Sequence, residues 1–276
     1  MLEPGIVKDE EIEFLIKDVY ELYGYDFSLY SRASFKRRVN RICLIDKFTS
    51  FAELRYTLVN DPDYLKHFIE EITVNVTEMF RDPYFFKTLR EKILPQLGTY
   101  PLIRVWVAGC STGEEAYSIA ILLKEAGLYQ KCLIYATDLN PSVLETARSG
   151  VFPIQQMKVY SENYILSGGK KDFSDYYTAN YDSVRFDKSL KEKMILSTHN
   201  LVSDSSFNSF QLIICRNVLI YFDKILQERV FRLFDDSLES LGYLALGSKE
   251  TLRFSNLGKY YHQVEDQKIW KKIDHN

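Results

Sequence analysis

Val105-Trp-Val-Ala-Gly109-Cys-Ser-Thr-Gly113-Glu-Glu115 runs from an apolar strand pattern through a glycine-bearing turn into a helix pattern. A strand that ends in glycine lets the backbone approach a bound molecule closely, and the first N–H groups of the following helix point at whatever sits there. Further along, Leu133-Ile-Tyr-Ala-Thr-Asp138 is a second apolar strand ending in an acid. An acid there suits the hydroxyls of a ribose, so the pair predicts a nucleotide-like cofactor.

From Pro101 onward apolar runs alternate with amphipathic segments, the pattern of a parallel sheet wrapped by helices. Strands are predicted over 102–108, 132–137, 194–199, 210–215 and 242–247, and helices over 114–126, 141–148 and 223–240. Asn140 and Asp223 are cap-type residues at two of these helix starts, with Pro141 at a first helical position. Residues 260–264 and 268–272 can pair as a terminal hairpin around Glu265-Asp266-Gln267. An antiparallel end on a mostly parallel α/β sheet resembles the class I S-adenosylmethionine-dependent methyltransferases; dinucleotide-binding domains usually keep the sheet parallel.

The predicted organisation is an all-helical domain over 1–75, a linker and helix over 76–100, and the sheet domain over 101–276. The first carries helix periodicity: Ile12, Leu15, Ile16 and Val19, then Phe35, Val39 and Ile42, then Phe51, Leu54 and Leu58. A polar, tyrosine-rich stretch at about 155–193 interrupts the alternation, and its length predicts a small inserted subdomain rather than a structureless loop. The 276 residues, 46% hydrophobic, are enough for a sizeable core. A net charge of −3 argues against a wholesale nucleic-acid binder. Cys43, Cys110, Cys132 and Cys215 are scattered without a CxxC pair, which reads as free thiols in a reducing compartment and no metal site. The first residues lack a basic start followed by an apolar stretch, and no apolar run is long enough for a span, so a cytoplasmic protein is expected.

Two other chemistries fit parts of the same stretch. Gly109-Cys-Ser111-Thr-Gly113 matches the G-x-S-x-G nucleophile elbow of α/β-hydrolases, and Ser111, Asp204 and His262 stand in the chain order of a triad. Against it, the motif follows the first strand of the sheet region, no oxyanion glycine cluster precedes it, and Glu114 and Glu115 would place carboxylates beside a developing oxyanion. A nicotinamide fold would start similarly, but the G-x-G-x-x-G spacing is absent. A glutamate at the helix start matches a ligand with a cationic amino acid end better than a pyrophosphate.

Two more segments carry polar residues where ligands bind in open α/β folds. Ile72-Thr-Val-Asn75-Val-Thr77-Glu-Met-Phe-Arg81-Asp82-Pro83 joins the helical region to the sheet, with Thr77 and Asp82 also readable as helix caps. His199-Asn200-Leu201 and Cys215-Arg216-Asn217 follow the third and fourth strands, and the asparagines offer both donor and acceptor.

In order along the chain, Asn75-x-Thr77-x-x-x-Arg81, Ala108-Gly-Cys-Ser-Thr-Gly-Glu-Glu-Ala-Tyr-Ser118, Ala136-Thr-Asp138-Leu, Asn200-Leu201 and Cys215-Arg-Asn-Val-Leu-Ile-Tyr-Phe222 resemble one family. It is the chemotaxis receptor methyltransferases of the CheR type, which methylate receptor glutamates. The resemblance implies S-adenosylmethionine as cofactor, with no metal, and contacts to it from Asn75, Thr77, Arg81, Glu115, Asp138, Asn200, Leu201, Arg216 and Asn217. It implies Arg81 and Tyr221 as the catalytic residues facing the methyl-accepting carboxylate. Ala116 stands where the family often has proline, and Ser167-Gly-Gly-Lys is only loosely similar to the loop by which some members hold a receptor peptide.

Arg37, Arg38 and Arg41 fall away from the centre of the apolar stripe formed by Phe35, Val39 and Ile42. Beside the resemblance, they are expected to dock the acidic cytoplasmic helices of a chemoreceptor, so that a monomer associates with membranes only through receptors. A non-catalytic adaptor that binds S-adenosylmethionine is the alternative, ahead of a hydrolase built on Ser111.

Overall fold

The structure, a computed structural model, describes residues 7–73 and 75–273. The chain divides into two compact units, one up to Val74 together with Ile220–Arg229, the other Asn75–Leu219 with Val230 onward. Among the described residues no helix is long and apolar enough to cross a membrane.

The first unit holds α1 (Asp9–Tyr23), α2 (Arg32–Ile45), α3 (Phe51–Asn60) and α4 (Tyr64–Ile72). Each has apolar residues at helical spacing, and these are the buried ones: Ile12, Leu15, Ile16 and Val19 on α1, Phe35, Val39 and Ile42 on α2, Leu54 and Leu58 on α3, Phe68, Ile69 and Ile72 on α4. Gly24 stops α1 in the left-handed region, φ 77, returning its N–H to the Tyr20 carbonyl. The expected boundary at 75 leaves out a segment that returns much later in the chain. Tyr30 bridges Phe222, the Ser31 N–H donates to the Tyr221 carbonyl at 2.8 Å, and the Asp223 N–H donates to the Leu29 carbonyl at 2.9 Å. Such pairings join residues almost two hundred positions apart, beyond the reach of local periodicity.

The second unit begins with an irregular segment and α5 (Pro83–Thr88), a π turn, and α6 (Leu94–Leu97). Residues 76–100, expected as a separate linker, are part of this unit, with Phe80, Phe85, Phe86, Leu89 and Ile93 buried in its core. Then come β1 (Ile103–Ala108), α7 (Glu114–Glu125), β2 (Cys132–Asp138), α8 (Pro141–Ser149), β3 (Val151–Pro153), α9 (Met157–Leu166), β4 (Tyr177–Asn180), β5 (Ser183–Phe186), β6 (Met194–Thr198) and β7 (Phe210–Cys215). The chain ends with α10 (Lys224–Ser237), β8 (Leu238–Leu246), β9 (Tyr261–Gln263) and β10 (Ile269–Lys272).

Seven strands form one sheet in the order β6-β2-β1-β7-β8-β10-β9. β6, β2, β1, β7 and β8 are parallel, and β10 runs antiparallel between β8 and β9. Alternation along β1 divides the core: Val105 and Val107 face one layer, while Trp106 on the other face packs against Phe210 at a tilt of 31° and meets Phe234 edge-on. α10 stops at Ser237, three residues short of the sequence expectation, and β8 starts at once; Leu238 pairs with Phe210 before a register shift brings Tyr243 opposite Leu212.

The insert begins earlier than expected, at Val151, because β3 pairs antiparallel with β5. It is a three-stranded sheet, β3-β5-β4, with α9 between its first two strands in sequence. Glu125 at the end of α7 anchors it: its carboxylate accepts from Tyr164 at 2.5 Å, Tyr176 at 3.0 Å and the Lys170 N–H at 3.1 Å, and pairs with Arg90 at 2.5 Å.

Candidate active site

The sheet order reverses beside β1, since the chain proceeds to β2 and β6 on one side and to β7 and β8 on the other. Ligands in open α/β sheets bind at the carboxyl edge of such a switch point. At that edge the Gly109 and Cys110 N–H groups both donate to the Thr137 carbonyl, at 2.8 and 2.9 Å. Gly109 has φ 75, and a Cβ on it would lie 2.4 Å from Val218 Cγ2; Gly113 has φ 99, and a Cβ there would lie 2.8 Å from Ala147 Cβ. Both glycines are therefore required by conformation and by space.

Between them Ser111 takes φ 50 and donates its N–H to Asp138 Oδ2 at 2.8 Å. Asp138 Oδ1 accepts the Asn140 N–H at 3.0 Å. Burial pushes the Asp138 carboxyl up, and these backbone donors oppose it. Asn140 caps α8 as its residue type predicts, its Oδ1 accepting the Ser142 N–H. Glu114 and Glu115, in the first turn of α7, are both buried. Burial raises Glu114, whose Oε2 accepts from the Thr112 hydroxyl at 2.6 Å.

Arg216, just beyond β7, ties the edge together. Its Nη1 meets Glu115 Oε1 at 2.6 Å, its Nη2 meets Asp82 Oδ2 at 2.6 Å and the Arg81 carbonyl at 3.0 Å, and the guanidinium lies 4.2 Å from the Phe85 ring centre. Asp82, readable as a cap for α5, makes no side-chain cap bond and turns to Arg216 instead. Arg81 is half-buried and donates from Nη1 to the Val76 carbonyl at 3.2 Å. Asn75 and Thr77 are half-buried in the same irregular segment.

Asn200 and Leu201 follow β6, where Asn200 Oδ1 accepts the Val202 N–H at 2.9 Å and its own N–H reaches Asp204 Oδ2 at 2.8 Å. Asn217 takes φ 61. Its N–H donates to Glu250 Oε2 at 3.1 Å, and the same oxygen accepts the Gly247 N–H at 2.6 Å. The cofactor candidates from Asn75 to Asn217 thus all lie in the sheet unit, and Glu115, Asp138 and Arg216 share its carboxyl edge. Glu250, Asp82 and Ser118 are the supporting residues that sequence reasoning missed.

Tyr221 lies in the helical unit, at the end of a short 3-10 turn (Leu219–Tyr221). There too, Arg37 is exposed on α2, while Arg41 pairs with Glu71 at 2.9 Å. Arg38 is different: it is half-buried and donates to the Glu71 carbonyl at 3.1 Å, tying α2 to α4.

The hydrolase triad is absent. Ser111 has the strained backbone of a nucleophile elbow, but His262 stands on β9, four strands away from β1, which is about 19 Å at the ordinary strand spacing. The Asp204 carboxylate is engaged locally by the Asn200 N–H and the Ser203 hydroxyl.

The all-alpha domain of CheR methyltransferases matches residues 10–73, and their SAM binding domain matches residues 75–269. A protein of Pseudomonas putida named methyltransferase Cher3 is 45% identical over 265 residues, 96% of this chain and 97% of its own. The chemotaxis protein methyltransferase of Borreliella burgdorferi is 33% identical over 267 residues, 91% of each chain. That of Listeria innocua is 32% identical over 231 residues, 83% of this chain and 85% of its own. Both domains match in order and the sheet has the expected terminal hairpin, so the chain belongs to the CheR family of S-adenosylmethionine-dependent methyltransferases.

Proposed function

We propose that the protein acts in the cytoplasm as a protein-glutamate O-methyltransferase on the cytoplasmic helices of chemoreceptors, forming glutamyl methyl esters. The observation that carries this reading is Arg216: one buried guanidinium grips Glu115, on the helix of the glycine cradle, together with the Arg81 carbonyl and the Asp82 carboxylate, so that a second arginine is held at the cradle's rim. An arginine there suits an acidic acceptor. Two relatives named as chemotaxis protein methyltransferases supply the class of acceptor.

The cradle fits S-adenosylmethionine. Asp138, Glu114 and Glu115 are acids suited to ribose hydroxyls and to a cationic amino acid end, and Ser111 Oγ and Arg216 Nε are buried with no hydrogen-bond partner among the described residues. S-adenosylmethionine held there would supply its sulfonium methyl group to an acceptor carboxylate oxygen, the S–CH3 bond breaking as the O–CH3 bond forms and neutral S-adenosylhomocysteine leaving. A glutamate acceptor, with a pKa of about 4.3, is already ionised at neutral pH, so no residue has to remove a proton. The chain's task is orientation and exclusion of water, and orientation alone supplies on the order of 7–11 kcal/mol. Arg81 holds the acceptor carboxylate by a charge-assisted hydrogen bond. Tyr221 is assigned a catalytic role on the strength of the family motif. Asn75, Thr77, Asn200, Leu201 and Asn217 are assigned to the cofactor on the same ground, and so is Arg81, which serves cofactor and acceptor both.

The basic side of α2 is proposed to dock the receptor, through the exposed Arg37 and Arg41 more than through the half-buried Arg38. Methyl transfer to a soluble receptor cytoplasmic fragment tests this assignment. Reversing Arg37 and Arg41 to Glu is expected to raise KM for the fragment about tenfold with kcat kept, and added salt is expected to raise the wild-type KM. A KM indifferent to both would remove the docking surface.

A further inference from the structure

The segment that carries Thr77 and Arg81 follows a backbone course that few sequences adopt unaided. Phe80 has φ 52 and Asp82 has φ 59, and neither is a glycine. Such geometry persists when its surroundings over-determine it. Here three successive residues are each held by a different element. The Met79 carbonyl accepts from Asn163 Nδ2 on α9 at 3.1 Å. The Phe80 N–H donates to Ser118 Oγ on α7 at 3.0 Å, and that hydroxyl donates in turn to the Glu114 carbonyl at 2.7 Å. The Arg81 carbonyl accepts from Arg216 at 3.0 Å.

The Phe80 side chain completes the hold. It is fully buried, with its ring centre 5.2 Å from that of Tyr164 on α9 and 6.2 Å from that of Phe173, both in the insert. Tyr160, Asn163 and Tyr164 lie on one face of α9, at spacings of three and four. From that face Tyr160 meets Glu114 Oε1 at 3.4 Å and Tyr164 meets Glu125, while Val159, Glu162, Ile165 and Leu166 on the other side are exposed.

We propose that Asn163 is a positioning residue for methyl transfer: from the insert, it fixes the Met79 carbonyl and thereby the placement of Arg81 at the cofactor cradle. The inserted subdomain is then a working part of the active site. The inference rests on the role given to Arg81 above. Ser118 and Arg216 sit within the motifs that mark the site, whereas Asn163 comes from a stretch with no such mark. An Asn at this place can donate to a carbonyl; an Asp of equal size turns an acceptor toward it.

The test is a double-mutant cycle read by calorimetric binding of S-adenosylhomocysteine to the full chain. In the wild-type background Asn163→Asp is expected to weaken binding about tenfold, the scale of one lost hydrogen bond in a partly buried site. In the Arg81→Ala background the same change is expected to cost about twofold or less, because the residue it acts through is gone. Equal losses in the two backgrounds would show a general structural effect and overturn the proposal, as would no loss in either. Glu162→Gln, on the exposed side of α9, is the control and should bind as wild type. If Asn163→Asp does not fold, Asn163→Ser removes the donor without adding a carboxylate, and the same two readings decide. Wild-type protein that binds no S-adenosylhomocysteine would instead overturn the methyltransferase reading, and this proposal with it.

Discussion

Arg216 is 6% exposed and sits between two carboxylates, each 2.6 Å away, with a main-chain carbonyl and an aromatic face completing its surroundings. Only a planar fork of donors reaches in all these directions at once; an ammonium on a flexible stem does not. Arg216→Lys is therefore expected to lower affinity for S-adenosylmethionine by one to two orders of magnitude while the chain stays folded. Titration calorimetry beside a thermal melt checks both halves. The other residues of the site divide by how they announce themselves. Asp138, Asn200 and Arg216 are legible because each stands at or just beyond a strand's end, where polar residues after an apolar run mark the ligand edge, and Glu115 because it opens the helix after the glycine turn. Asp82 does stand at the start of α5, but the engagement of its carboxylate is not legible, since its partner lies 134 residues away at Arg216. Glu250 shows no motif at all, yet its Oε2 collects the Asn217 and Gly247 N–H groups that end the neighbouring strands β7 and β8.

Helix α7 links cradle and insert through an acid at each end, and the two acids respond to pH in opposite directions. Burial would raise Glu125, but the Tyr164 hydroxyl and the Arg90 guanidinium hold it below the ordinary 4.5. A lowered carboxyl contributes stability that is present above about pH 4.5 and is lost as pH falls through the folded-state value. Glu125→Gln leaves the Arg90 charge unpaired where its side chain is 10% exposed, which costs about 3 kcal/mol at neutral pH. It should also flatten the acid side of the stability curve. Glu114 is raised by burial, so its contribution is present below pH 4.5 and lost as pH rises. Glu114→Gln should then hold or increase stability at pH 7. Urea unfolding of both variants at pH 4 and pH 7 checks the signs, and like behaviour of the two would contradict the account. At this level the long periodic helices and apolar strands are legible, with ends within a few residues. The start of β8 is not, because Leu238 and its neighbours continue a helical pattern until pairing with Phe210 takes over.

The two parts of one family match in chain order, 10–73 and 75–269, and the strands, the glycine cradle and the edge acids are legible in sequence patterns that are local. What could not be read locally is the return of Ile220–Arg229 to the helical unit, where Phe222 bridges Tyr30, and the depth to which residues 76–100 enter the sheet unit's core. Both depend on pairings between distant parts of the chain. For the molecule as a whole the deciding experiment is transfer of tritiated methyl from S-adenosylmethionine to membranes containing chemoreceptors, counted as methanol released by base. The account predicts base-labile counts with the wild-type chain and loss of nearly all of them with Arg81→Ala, in protein whose fold is unchanged. Cofactor binding without any base-labile methyl, or near-normal transfer by Arg81→Ala, would contradict it.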